Sequence, residues 1–210
     1  MDLLLSRKVK EMFTGSKGSH DWEHTERVYK LAVHIGEKEG ADMEIVKAAA
    51  VLHDIARQAE DESGGRLCHA REGAVAAEKI LRETGYGADD IARIKHCIEA
   101  HRFRNSKEPE TTEARVLFDA DKLDSIGAVG IGRAFLFAGE IGAKLHNSGA
   151  DIEKTKPYTE EDTAYREFIV KLRKVKDRML TKEGKRLAEE RHKFMEEFFA
   201  RLDKEVNGVE

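Results

Sequence analysis

Three stretches of this chain place a metal-binding side chain where helical spacing calls for an apolar one. His24 heads the series His24, Val28, Leu31, Ile35, and His53 ends the series Val46, Ala49, Ala50, His53 with Asp54 beside it. Asp121 follows Leu117 and Phe118 in the run Ala-Arg-Val-Leu-Phe-Asp-Ala-Asp-Lys-Leu-Asp. An imidazole or carboxylate buried without a partner is costly. One such His is more often a core residue bonded to a carbonyl than a ligand. The coincidence on three helices has a simpler account, a divalent cation shared by His24, His53, Asp54 and Asp121. Neutral imidazoles mixed with carboxylates suit Mn, Fe, Co, Ni or Zn better than Mg or Ca, which prefer all-oxygen shells.

Other residues gather around this set. His69 lies in line with Gly73, Ala76, Ala77 and Ile80, and His101 in line with Ile94, Cys97 and Ile98, so both face inward. Arg27, one turn after His24, is placed to reach an anion, and the bland alternative is a salt bridge to Glu23. Lys122 and Arg133, which flank the Asp121 segment, are further anion contacts unless they simply face solvent. Asp124, one turn after Asp121, is placed to orient a ligating or phosphate-binding group.

The elements that must position these residues read as helices almost throughout, with no strand-like alternation. Spacing and punctuation predict helices near 2–13, from His20 to Gly40, from 42 to 55, from 69 to 84 and from 89 to 103, with a further one carrying Asp121. The first stops around Gly15 and Gly18. Residues 57–67, with Gly64-Gly65, read as a loop. Gly127, Gly130, Gly132 and Gly139 in an apolar stretch predict close helix–helix approach. Long amphipathic helices are expected over 160–179 and 182–206, the second with a stripe of Leu187, Phe194, Phe198 and Leu202. That stripe is either packed on its own domain or a dimerisation surface or lid, which leaves a homodimer open.

Bulk properties narrow the class. The chain has 210 residues, 40% of them hydrophobic, enough for one well-cored domain. A net charge of −4 argues against a general nucleic-acid binder. Only Cys68 and Cys97 are present, which gives no disulfide framework and fits a reducing cytosol. Leu3-Leu4-Leu5 is too short for a leader, and no apolar run approaches the roughly 20 residues of a membrane span, so a cytoplasmic protein without a membrane partner is expected.

The segments HDWEHTERV, AAVLHDIA and VLFDADKLDSIGAVGIGRAF, carrying His24, then His53-Asp54, then Asp121, resemble the HD superfamily of metal-dependent phosphohydrolases. The last is most similar to its small stand-alone hydrolases. The resemblance covers about residues 19–140 and implies a single all-α HD-domain bundle with a C-terminal helical extension over about 141–210. It assigns His24, His53, Asp54 and Asp121 to the ligand positions and implies hydrolysis of a phosphoester or phosphoanhydride in a nucleotide or similar small phosphorylated metabolite. Some stand-alone members are nucleotide pyrophosphohydrolases. His69 and His101 match the order of two extra His in binuclear members. With Asp54 they are the catalytic candidates, and one ion is expected, with the two His serving the substrate.

The chain departs from the nucleoside monophosphate and alarmone hydrolases, which carry an acidic residue soon after the His-Asp pair. Here Ile55-Ala56-Arg57-Gln58 follows, with Glu60 and Asp61 further out. Two other readings stay open: a sensing module that binds metal and nucleotide with little turnover, and a di-iron oxygenase using His69 and His101 as ligands.

Overall fold

The structure is a computed structural model that describes residues 3–12, 22–102, 107–147 and 149–209. Among these residues no strand occurs, and the elements are α1 (Leu3–Met12), α2 (Trp22–Glu39), α3 (Met43–Leu52), α4 (Arg57–Glu62), α5 (His69–Glu83), α6 (Ala88–Ala100), α7 (Thr112–Leu123), α8 (Gly127–Glu140), α9 (Ala164–Val170) and α10 (Lys182–Val206). No helix among them is long and apolar enough to cross a membrane. The Gly15–Gly18 stop, the His20 start and the Phe103 end predicted above lie outside the described residues.

The chain divides into two compact units, Met1–Asp121 with Leu180–Glu183, and Lys122–Met179 with Gly184–Glu210. In the first, α3 is the axis. Ile45, Val46, Ala48, Ala49, Ala50, Val51 and Leu52 are all buried, so beyond Glu44 and Lys47 in its first half the helix is apolar all round. Such a helix must be enclosed, and α1, α2, α5 and α6 pack around it. Asp42 caps it, its side chain accepting from the Glu44 N–H. The segment read as a loop over 57–67 contains the short helix α4, whose end is closed when the Glu60 carbonyl accepts from Gly65 N–H and Ser63 Oγ–H. That one turn and a half carries no apolar periodicity, so nothing in the sequence announced it.

A second anchor in this unit is Asp119, fully buried on α7. It accepts from the Leu180 and Thr181 N–H groups at 2.9 and 2.8 Å and from the Thr181 hydroxyl at 2.7 Å. Burial pushes its carboxyl above the ordinary carboxylate value despite these three donors.

In the second unit the expected helix over 160–179 is broken. α9 stops at Val170, and single 3₁₀ turns follow at Leu172–Lys174 and Lys176–Arg178. Phe168, Leu172, Val175 and Met179 are nonetheless all buried. Their spacing fits a helix and a series of turns equally, so periodicity could not separate the two. The apolar stripe expected on α10 is also corrected. The buried face is Gly184, Ala188, His192, Met195 and Phe199, whereas Phe194 is 46% exposed. Phe199 stacks on Phe168 at 4.6 Å between centroids, which rotates the helix one position from the sequence-based stripe.

Of the glycines in α8, Gly127 meets the expectation of close helix–helix approach, while Gly130 is crowded by the backbone just ahead of its own helix. Gly127 has φ 77°, and a Cβ there would lie 2.9 Å from Cγ of Arg191 on α10. Gly130 would place a Cβ 2.2 Å from the Ser125 carbonyl oxygen, whereas Gly132 and Gly139 face open space. We therefore expect Gly130→Ala to destabilise the protein by about 1–3 kcal/mol through overpacking. Gly132→Ala should instead stabilise it by up to about 1 kcal/mol through helix propensity. Urea midpoints for the two variants should move in opposite directions.

Candidate metal centre

Six polar side chains of the first unit meet at helix ends. His24 lies in the first turn of α2, His53 and Asp54 follow α3, His69 opens α5, His101 follows α6, and Asp121 sits in the last turn of α7. All but Asp121 are buried, His53 completely, while Asp121 is half-buried. Their ligand atoms form two trios, His24–His53–Asp121 and Asp54–His69–His101, each with its atoms within 4.8 Å of one another.

Asp54 joins the trios by dividing its oxygens. Oδ2 lies 3.6 Å from His24 Nε2 and 3.7 Å from His53 Nε2. Oδ1 lies 3.4 Å from His69 Nε2 and 3.7 Å from His101 Nε2. Asp121 Oδ1 is 3.4 Å from His24 Nε2. The imidazoles approach each other as closely, at 3.3 Å for His24–His53 and 3.2 Å for His69–His101 between Nε2 atoms.

The rings are held in this orientation from behind. His53 Nδ1 donates to the Ala50 carbonyl and His101 Nδ1 to the Ile98 carbonyl, each reaching back three residues at the end of its own helix. His69 Nδ1 donates to the Glu60 carboxylate. These oxygens only accept, so each neutral ring carries its proton on Nδ1 and turns an Nε2 lone pair inward. Burial pushes His53 down to about 4, against the pull of Asp54 and Asp121, and holds His69 below its ordinary value as well. When both rings are neutral, two Nε2 lone pairs face each other between His69 and His101 at 3.2 Å.

Inward-facing donors of this kind suit a cation. Bonds of roughly 2.0–2.2 Å to nitrogen and oxygen put neighbouring ligands about 2.9–3.6 Å apart on a tetrahedral or octahedral shell. The separations above run from 3.2 to 3.7 Å. The charge count agrees. Asp54 and Asp121 supply two negative charges, and the third nearby carboxylate, Glu60, is already paired with Arg102 at 2.7 Å. One divalent ion balances what remains. The donor set thus fits a transition-metal ion.

Glu60 and Arg102 are the residues that sequence reasoning missed. Burial alone would raise the Glu60 carboxyl, but the His69 amide and ring and the Arg102 guanidinium hold it down at about 2. Its only sequence signal was an acidic residue beyond the His-Asp pair, in a run that otherwise looks solvated. Among the other predicted residues, Arg27 is half-buried on α2 and Lys122 half-buried at the end of α7. Asp124 and Arg133 are brought to each other, with Arg133 Nη1 donating to the buried carboxylate at 2.7 Å.

Comparison with known proteins follows the same lines. Residues 21–126 match the HD domain family, and the chain belongs to that family. Bacillus subtilis YpgQ, itself uncharacterized, is 38% identical over 206 residues, covering 96% of this chain and 92% of that protein. The crystal structure of YpgQ in complex with ADP superposes with a TM-score of 0.76 at 36% identity, over 98% of this chain and 95% of that one. A Bacillus thuringiensis HD-superfamily hydrolase superposes with a TM-score of 0.78 at 29% identity, over 97% and 95% of the two chains.

Because these donors repel one another when bare, a cation that binds them should stabilise the fold. Dialysis against a chelator should lower Tm, and Mn²⁺ or Co²⁺ should restore it. The gain should approach about 2.7 kcal/mol at an ion concentration a hundredfold above Kd. A Tm indifferent to both treatments would contradict the fit.

Proposed function

We propose that this protein is a metal-dependent phosphohydrolase acting on a nucleotide or similar small phosphorylated metabolite, with a nucleoside triphosphate phosphoanhydride as the favoured target. The observation that carries the reading is the enclosed cluster of four imidazoles and two carboxylates whose donors face one another. The ADP held by the related YpgQ supports a phosphorylated nucleotide as ligand. His24, His53, Asp54 and Asp121 would hold the ion, which the mixed donor set selects as Mn, Fe, Co, Ni or Zn. When bound, such an ion supplies Lewis acidity toward a phosphoryl oxygen and makes water more acidic.

The chain's own residues do the rest. His69 and His101 turn Nε2 toward the cluster, where either can take a proton from water or pass one to the leaving oxygen. Arg27 and Lys122 offer positive charge to the phosphates. Burial of the ring of donors keeps bulk water from screening these interactions.

A second reading is favoured by one observation, the turn of Asp54 Oδ1 toward His69 and His101. Under it those three hold a second ion. Among the described residues no further carboxylate joins that trio, so substrate phosphate or hydroxide would have to balance the ion. We therefore keep one resident ion as the primary reading.

Elemental analysis should show about one transition-metal ion per chain, with strong loss in His53→Ala and Asp54→Ala. In a screen for phosphate and pyrophosphate release over nucleotides with Mn²⁺, Co²⁺, Ni²⁺ and Mg²⁺, metal-stimulated turnover is expected. His69→Ala and His101→Ala should keep the ion and lose about 10²-fold or more in kcat, while Arg27→Ala should act mainly on KM. Two ions per chain, falling to one in the His69 and His101 variants, would establish the second reading. No release from any nucleotide would leave a sensing module as the better account.

A further inference from the structure

Glu60 occupies an unusual position for a carboxylate in this molecule. It is only 6% exposed and receives four hydrogen bonds. Its Oε2 accepts from the His69 backbone N–H at 2.9 Å, from the His69 ring and from Arg102 Nη1 at 3.2 Å. Its Oε1 accepts from Arg102 Nη2 at 2.7 Å. The backbone behind it is also fixed, because the Glu60 carbonyl closes the end of α4. A side chain tied at both ends has little freedom to follow the groups it binds, so those groups must follow it.

Those groups belong to the second trio. Arg102 is the chain neighbour of His101, and His69 faces His101 across 3.2 Å. A closed ring results, running from His101 through the peptide to Arg102, by ion pair to Glu60, by hydrogen bond to His69, and back across the lone pairs. His101 is fixed independently by the Ile98 carbonyl. His69 has no carbonyl of its own helix behind it, because it is the first residue of α5. Without Glu60, its ring could rotate by half a turn and present Nδ1 in place of Nε2.

We propose that Glu60, clamped by Arg102, is a positioning residue that fixes the tautomer and ring plane of His69, so that His69 and His101 meet Asp54 Oδ1 with two Nε2 lone pairs. Arg102 also keeps the charge of Glu60 from adding to those of Asp54 and Asp121. The activity part of the test rests on the hydrolase reading above, while the tautomer part does not.

Glu60→Gln is the informative variant. Four donors that met two oxygens would then face one oxygen and one NH₂ group, so either His69 or Arg102 loses its acceptor. In metal-free wild-type protein labelled with ¹⁵N in its histidines, long-range ring correlations at one fixed pH should report His69 as the Nδ1–H tautomer, becoming mixed in Glu60→Gln. With ATP and Mn²⁺, kcat should fall about 10- to 100-fold, the usual range for a partner behind a functional His, with KM and ion content unchanged. A merely structural role would lower Tm without moving the tautomer or separating kcat from KM.

Wild-type His69 as the Nε2–H tautomer would overturn the proposal, and so would a Glu60→Gln protein that keeps both tautomer and kcat. Should that variant fail to fold, the wild-type spectrum still decides, and Arg102→Lys, which loses one arm of the clamp, should loosen the same tautomer. Absence of ATP turnover in the wild type would count against the hydrolase reading alone.

Discussion

Two carboxylates and four imidazoles are forced together in an interior that water does not screen, and the first unit is arranged around that constraint. Opposed ring nitrogens at 3.2 Å between His69 and His101 are unfavourable unless a proton donor or a positive charge meets them. The chain holds them there by anchoring the far side of each ring. Ala50, Ile98 and Glu60 supply acceptors that fix three Nδ1 protons and leave three Nε2 atoms no other direction. The rigidity needed to oppose this repulsion comes from α3. Its second half is buried all round, and its run Ala48-Ala49-Ala50 lets neighbouring helices approach closely.

Helix ends add a second, weaker contribution of the same sign. His53 and His101 are C-cap residues of α3 and α6, so two helices direct their carbonyl ends toward the cluster. The partial negative charge there favours a cation. Helix termini are also where side chains can turn inward without breaking the ladder of backbone bonds. This explains why five separate helices each contribute at or just beyond an end. The Glu60–Arg102 pair fits the same account, placing a carboxylate behind His69 while its charge is met locally.

Legibility of the sequence was uneven for physical reasons. α2, α3, α5, α6 and α7 carry a 3.6-residue apolar period over ten residues or more, and their existence and inward faces could be read directly. The six inward polar residues stood out because each interrupts such a period, and the structure brings all six together. Short elements left no such trace. α4 has six residues, and the turns after α9 have three each. The stripe on α10 was misplaced by one position because Phe194 and Phe198 are as apolar as Met195 and Phe199, and composition cannot tell which neighbour awaits them.

By itself, then, the sequence determined the helical class and the identity of the six inward polar residues. It did so because periodicity records which face each helix must bury. Only the tertiary structure decided how those residues face one another. The division of Asp54's two oxygens between two pairs of imidazoles, the withdrawal of Arg133 to Asp124 and the clamp of Glu60 by Arg102 include pairings across as many as 47 residues of chain. Such pairings follow from where helix ends meet in space, and no local pattern in the chain encodes that meeting.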